Sequence, residues 1–128
     1  MMRRNVMVAA FAFGLIASTS LAAVAADWSA IAVDFRDDMS RTAWGIGRGE
    51  SMAEAGTAAM AFCAKAGGGN CRTVVSYTNC GAFAAGKSSV GYGMADSQKM
   101  AETNALAGCG AASCKIVVSD CSRPATAQ

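Results

Sequence analysis

GIGRGESMAEAGTAAMAFC, residues 45–63, returns as GYGMADSQKMAETNALAGC, residues 91–109, at a constant offset of 46 with no gap. Gly45 and Gly47 fall on Gly91 and Gly93, Ala55 on Ala101, Ala59 on Ala105, Met60 on Leu106 and Cys63 on Cys109. Working outward, Cys71-Arg72-Thr73-Val74-Val75-Ser76 matches Cys114-Lys115-Ile116-Val117-Val118-Ser119 downstream. Upstream, Ser29-Ala30-Ile31-Ala32-Val33 matches Gly81-Ala82-Phe83-Ala84-Ala85, once the Asp34 to Thr42 loop is allowed to exceed its counterpart. Three blocks in one order describe a tandem duplication, with repeats over 28–79 and 80–122.

Each repeat reads strand, strand, helix, strand. The first strand is a short apolar run, and the second, over 42–48 or 89–94, alternates small and larger residues at period two. Ser51-Met52-Ala53-Glu54 is a capping box that starts the first helix, and Asp96 or Ser97 starts the second. Both helices are predicted to end near a glycine, Gly67 or Gly110. The β-branched runs Thr73-Val74-Val75 and Ile116-Val117-Val118 supply the last strands. Small helix residues such as Ala55, Gly56 and Ala59 let a helix lie close on a sheet. The fold expected is α+β: tandem ββαβ repeats forming an antiparallel sheet of about six strands, with two helices on one face and disulfides tying it.

The six cysteines have no histidine partner and no C-x-x-C spacing, so structural disulfides are expected rather than zinc or thiol chemistry. Six cysteines allow fifteen connectivities. The repeat narrows them: Cys63 and Cys71 recur as Cys109 and Cys114, which makes two equivalent helix-to-strand bridges and leaves Cys80 for Cys121. On a chain-entropy basis each bridge contributes roughly 2–4 kcal/mol, comparable with the whole stability of so small a domain.

Residues 1–25 carry Arg3 and Arg4, an uncharged apolar core and an Ala23-Val24-Ala25 cleavage site, the pattern of a secretory signal peptide. The mature chain is expected to start at Ala26 or Asp27, to form one domain over 26–122 and to end in a flexible tail over 123–128. It is then secreted or periplasmic, with no membrane span after cleavage. Losing Arg3 and Arg4 takes Lys plus Arg from 11 to 9, against 9 Asp plus Glu. A formally neutral mature chain has no basic patch for nucleic acid.

Catalytic signatures are sparse. With no histidine in the chain there is no imidazole base, and no S-x-x-K is present. Gly45-Ile46-Gly47-Arg48-Gly49 does not complete a nucleotide loop, because Glu50 stands at the last position. Asp34, Asp37 and Asp38 lack calcium-loop spacing. No metal, cofactor or catalytic residue is assigned. Glu54 and Glu102 are not repeat-equivalent, so the duplication has built no paired acid site. Among the aromatics, Trp44 and Tyr92 lie in matched strands and are expected to pack, whereas Tyr77 is expected to be exposed. The candidate binding surface is therefore Tyr77, Trp28 and the longer loop carrying Arg36, Asp37, Asp38 and Arg41. The function favoured is a non-enzymatic protein-binding module whose partner is another protein of the envelope or extracellular space. The alternatives are a small envelope hydrolase using carboxylates or a lysine, and an envelope structural or stress protein.

The ordered blocks W-S-A-I-A, A-W-G-I-G, C-R-T-V-V, C-G-A-F-A, G-Y-G and C-K-I-V-V-S-x-C resemble the bacterial exported family known as domain of unknown function 4189. The resemblance runs from about Trp28 to Ser122. It implies a small exported domain and brings no catalytic residue with it. The tandem repeats also look loosely like the β-lactamase-inhibitor architecture, a likeness of fold that carries no inhibitory activity. Val90 stands opposite Trp44, so the two halves do not share an aromatic surface at that position.

Overall fold

The computed structural model describes residues 27–35 and 42–122. The expected signal peptide 1–25, residues 123–128, and Arg36, Asp37, Asp38 and Arg41 of the candidate loop lie outside the described residues. The first repeat forms β1 (Trp28–Asp34), β2 (Trp44–Gly49), α1 (Met52–Lys65) and β3 (Cys71–Tyr77). The second forms β4 (Cys80–Ala85), β5 (Val90–Ala95), α2 (Gln98–Cys109) and β6 (Lys115–Cys121).

Among the described residues all pairings are antiparallel, and the class is α+β with six strands, two helices and three disulfides. The strands divide into two three-stranded sheets, ordered β2-β1-β3 and β5-β4-β6, where the sequence reading placed them in one. The reason lies in the first strand of each repeat. β1 and β4 take the centre of their sheets, and each pairs on both sides with strands of its own repeat. Both central strands are buried on both faces. The large residues Ile31, Val33 and Phe83 point one way, into a core shared with Val75, Tyr77 and Val118. The alternate alanines point the other way: Ala30 and Ala32 meet Ala55, Ala59 and Cys63 of α1, and Ala82 and Ala84 meet Ala101, Ala105 and Cys109 of α2. Helix, sheet, sheet and helix thus form four layers, with the helices on opposite outer faces and not on one shared face.

Small residues make the outer layers thin. A Cβ on Gly47 would lie 2.1 Å from the Ala59 nitrogen, and one on Gly91 would lie 2.2 Å from the Ala105 carbonyl oxygen. Each helix backbone therefore rests directly on its second strand. Ser51 and Ser97 cap the helices by accepting from the Glu54 and Met100 N–H groups, and the Glu54 carboxylate reaches back past the cap to accept from the Glu50 N–H at 3.0 Å. Gly110 ends α2 in the left-handed region, at φ 70°.

The last strands share a further irregularity. Ile31 pairs with Val75 but Ala32 with Thr73, and Phe83 pairs with Val118 but Ala84 with Ile116. Val74 and Val117 are thus the extra residues of two equivalent bulges, and both pack against the inter-sheet core next to the valine that follows.

The disulfides are Cys63–Cys71, Cys109–Cys114 and Cys80–Cys121, the pairing that the repeat argument reaches. The first two close the helix-to-strand turns, and the third staples β4 to β6 at directly paired positions. Replacing both Cys109 and Cys114 by alanine should lower the unfolding free energy by about 2 kcal/mol, the chain-entropy value for so short a loop, read as a reduced urea midpoint at unchanged m.

Candidate binding surface

Tyr77, expected to be exposed, lies in the core between the sheets. It is 2% exposed. As the last residue of β3 it has the parity of Val75, which turns its ring into the space between the sheets. That space exists because Gly81, opposite, has no side chain: a Cβ there would lie 2.3 Å from the Tyr77 ring. The Tyr77 hydroxyl donates to Asp120 Oδ2 at 2.8 Å. Burial, then the bond to the Asp120 carboxylate and its negative charge, drive the phenol far above its ordinary value, with Arg48 opposing. Tyr77 and Asp120 are repeat-equivalent, so the duplication brings one tyrosine and one aspartate together between the two halves.

Arg48 completes the network. Its Nη2 donates to Asp120 Oδ1 and Oδ2 at 3.1 and 3.3 Å, and its Nη1 to Ser29 Oγ and the Ser122 carbonyl. The equivalent of Arg48 in the second repeat is Met94. Two corresponding corners have consequently diverged. Beside Arg48 lies an open cleft of about 530 Å³ bordered by Asp27, Glu50 and Glu54. Beside Met94 lies a smaller one, about 180 Å³, bordered by Tyr77, Thr78 and Asp96. In the charged cleft Arg48 is held by Asp120 and Glu54 by the helix cap, so both are engaged by the fold.

Trp28 is half-buried and packs against the alanine layer under α1. The two aromatics expected to pack are instead in solvent: Trp44 is 41% exposed and Tyr92 59%. Parity explains it. Gly45, Gly47, Gly91 and Gly93 face the helices, which turns Trp44, Ile46, Tyr92 and Met94 to the opposite side of their strands. β2 and β5 are edge strands, and of these inward-turned residues only Ile46 and Val90 pack against the core between the sheets. On β5 this leaves an apolar stripe in which Tyr92 and Met94, the latter 55% exposed, face solvent beside Val90, which packs partly on the inter-sheet core. Sequence reasoning missed Tyr92 and Met94 as surface residues. The alternation with glycine was visible, but nothing local marked β5 as an edge.

Among the described residues no group of acidic or cysteine side chains is placed to hold a metal ion, and no helix is long and apolar enough to cross a membrane. Fold and surface define a small, disulfide-tied repeat domain with an exposed apolar edge. Residues 28–121 match the model of the Domain of unknown function (DUF4189) family, and the chain belongs to that family. No curated protein and no solved structure matches it.

Proposed function

We propose that this is an exported, non-enzymatic module that binds another protein through the Val90, Tyr92 and Met94 stripe. The observation that carries this reading is the exposure of adjacent tyrosine and methionine side chains on a strand face that a sandwich ordinarily covers. Tyrosine brings large contact area at low conformational cost, and methionine adapts to an irregular partner. Three disulfides are consistent with an oxidising compartment, periplasmic or extracellular, which the signal segment also supports.

The test compares the oxidised parent with a Tyr92→Ser/Met94→Gln variant in capturing partners from native envelope extract. Both side chains lie outside the buried clusters, so the variant should melt within a few degrees of the parent. Its affinity for the captured protein should fall about tenfold or more, as for loss of an aromatic anchor. A variant that captures the same protein equally well refutes the assignment.

A further inference from the structure

Among the described residues four strands border the two sheets, and of these β5 alone lacks a device against pairing with another chain. Bulges, charges and prolines are the usual protections. β3 and β6 carry their bulges at Val74 and Val117, and β2 carries Arg48. β5 reads Val90-Gly91-Tyr92-Gly93-Met94-Ala95, with no charge and no proline, and its register with β4 runs unbroken.

Its hydrogen-bonding parity follows from the adjoining turn. The Gly86 N–H donates to the Ser89 carbonyl at 2.8 Å, so Gly86 and Ser89 are a bonded pair. Alternation along the ladder makes Ala84 with Gly91, and Ala82 with Gly93, the next bonded pairs. The N–H and C=O groups of Val90, Tyr92 and Met94 therefore point away from β4, toward the free edge. The residues whose main chain is on offer are the ones whose side chains form the stripe.

We infer that β5 takes up an extended peptide segment of the partner as an added antiparallel strand. The inference rests on the protein-binding reading above and names its mode. The added main chain bonds to Val90, Tyr92 and Met94, and alternate side chains lie beside the stripe. An antiparallel strand begins next to Asp96 and ends next to Lys87, both exposed. Charge complementarity therefore asks for a basic residue at its start, alternating apolar residues along it and an acidic residue at its end. The first apolar side chain falls at the cleft beside Met94. A second copy fits poorly. Paired β5 strands lie about 4.8 Å apart with both α2 helices on one face, and packed helices need about 8–10 Å. α2 lies directly over β5, as Gly91 and Gly93 require.

The probe is a synthetic peptide with an N-terminal lysine, a valine–threonine alternation matching the six residues of β5 and a C-terminal glutamate. Amide exchange is followed by NMR on the full oxidised domain. Excess peptide should slow exchange at Val90, Tyr92 and Met94, while Gly91 and Gly93, already paired with β4, change little. A peptide with its end charges swapped should bind more weakly. Tyr92→Pro removes one outward N–H without touching the β4 ladder, and should weaken the peptide about tenfold relative to Tyr92→Ala. Absence of protection, protection on β2 instead, or protection that grows with protein concentration and needs no peptide would each overturn strand addition. If the Tyr92→Ser/Met94→Gln variant loses its partner while the peptide protects nothing, strand addition fails and the binding surface stands. If that variant keeps its partner, the binding reading itself fails.

Discussion

Gly47→Ala should prevent the domain from folding to its native state, or cost it more than about 3 kcal/mol, the upper end for overpacking a well-filled interior. The added methyl would stand 2.1 Å from the Ala59 nitrogen and 2.3 Å from the Ala55 carbonyl oxygen. These are backbone atoms in the middle of α1, so no rotamer change relieves the clash. The whole helix has to lift, and lifting it opens the layer where Ala30 and Ala32 touch Ala55, Ala59 and Cys63. Gly69→Ala is the control, because a Cβ there meets nothing within 4 Å and the backbone is not at positive φ. Thermal melts of the two purified proteins check the contrast. Equal melting of parent and Gly47→Ala would remove close helix–strand contact as the basis of the outer layers.

The second large effect is expected at Tyr77. Tyr77→Ala empties a ring-sized volume between the sheets and should cost about 3–5 kcal/mol. Tyr77→Phe keeps the ring and loses only the bond to Asp120, which retains Arg48, so about 1 kcal/mol is expected. Urea titrations of the three proteins check both values. The phenol also sets an alkaline limit. Its folded pKa lies above the ordinary 10.0, so its stabilisation is complete below pH 10. Above that pH the unfolded chain releases a proton that the folded chain retains, and stability falls by up to about 1.4 kcal/mol per pH unit. Tyr77→Phe should lack that slope, and a parent and variant that fall in parallel would show that Tyr77 ionises freely in the fold.

Much of this organisation could be read in the chain. The offset joining Gly45-Ile46-Gly47 to Gly91-Tyr92-Gly93 places second strands, helix caps and helix ends by comparison of one half with the other. It reduces the cysteine problem to two equivalent local bridges and a remainder, which are the bridges present. The candidate surface was read less well. Trp28 is half-buried, Tyr77 is in the core, and Trp44 and Tyr92, the two expected to pack, are exposed. Repeat comparison finds where the halves differ, and a difference such as Tyr77 against Asp120 also arises where the halves meet.

The sequence by itself determines the local elements, because capping boxes, β-branched runs and glycine–large alternation act within a few residues. It determines the local bridges too, since Cys63 and Cys71, or Cys109 and Cys114, are brought together by one turn. It even contains the two-faced character of β1 and β4, in which small Ala30 and Ala32 alternate with large Ile31 and Val33. Only the tertiary structure decides that those strands are central, that six strands divide three and three, and that the large faces meet each other while the alanine faces meet helices. Edge position, and with it the exposure of Tyr92 and Met94, depends on which strands remain unpaired after assembly. Pairing is a long-range competition among chemically similar strands, and no residue of β5 records its outcome locally.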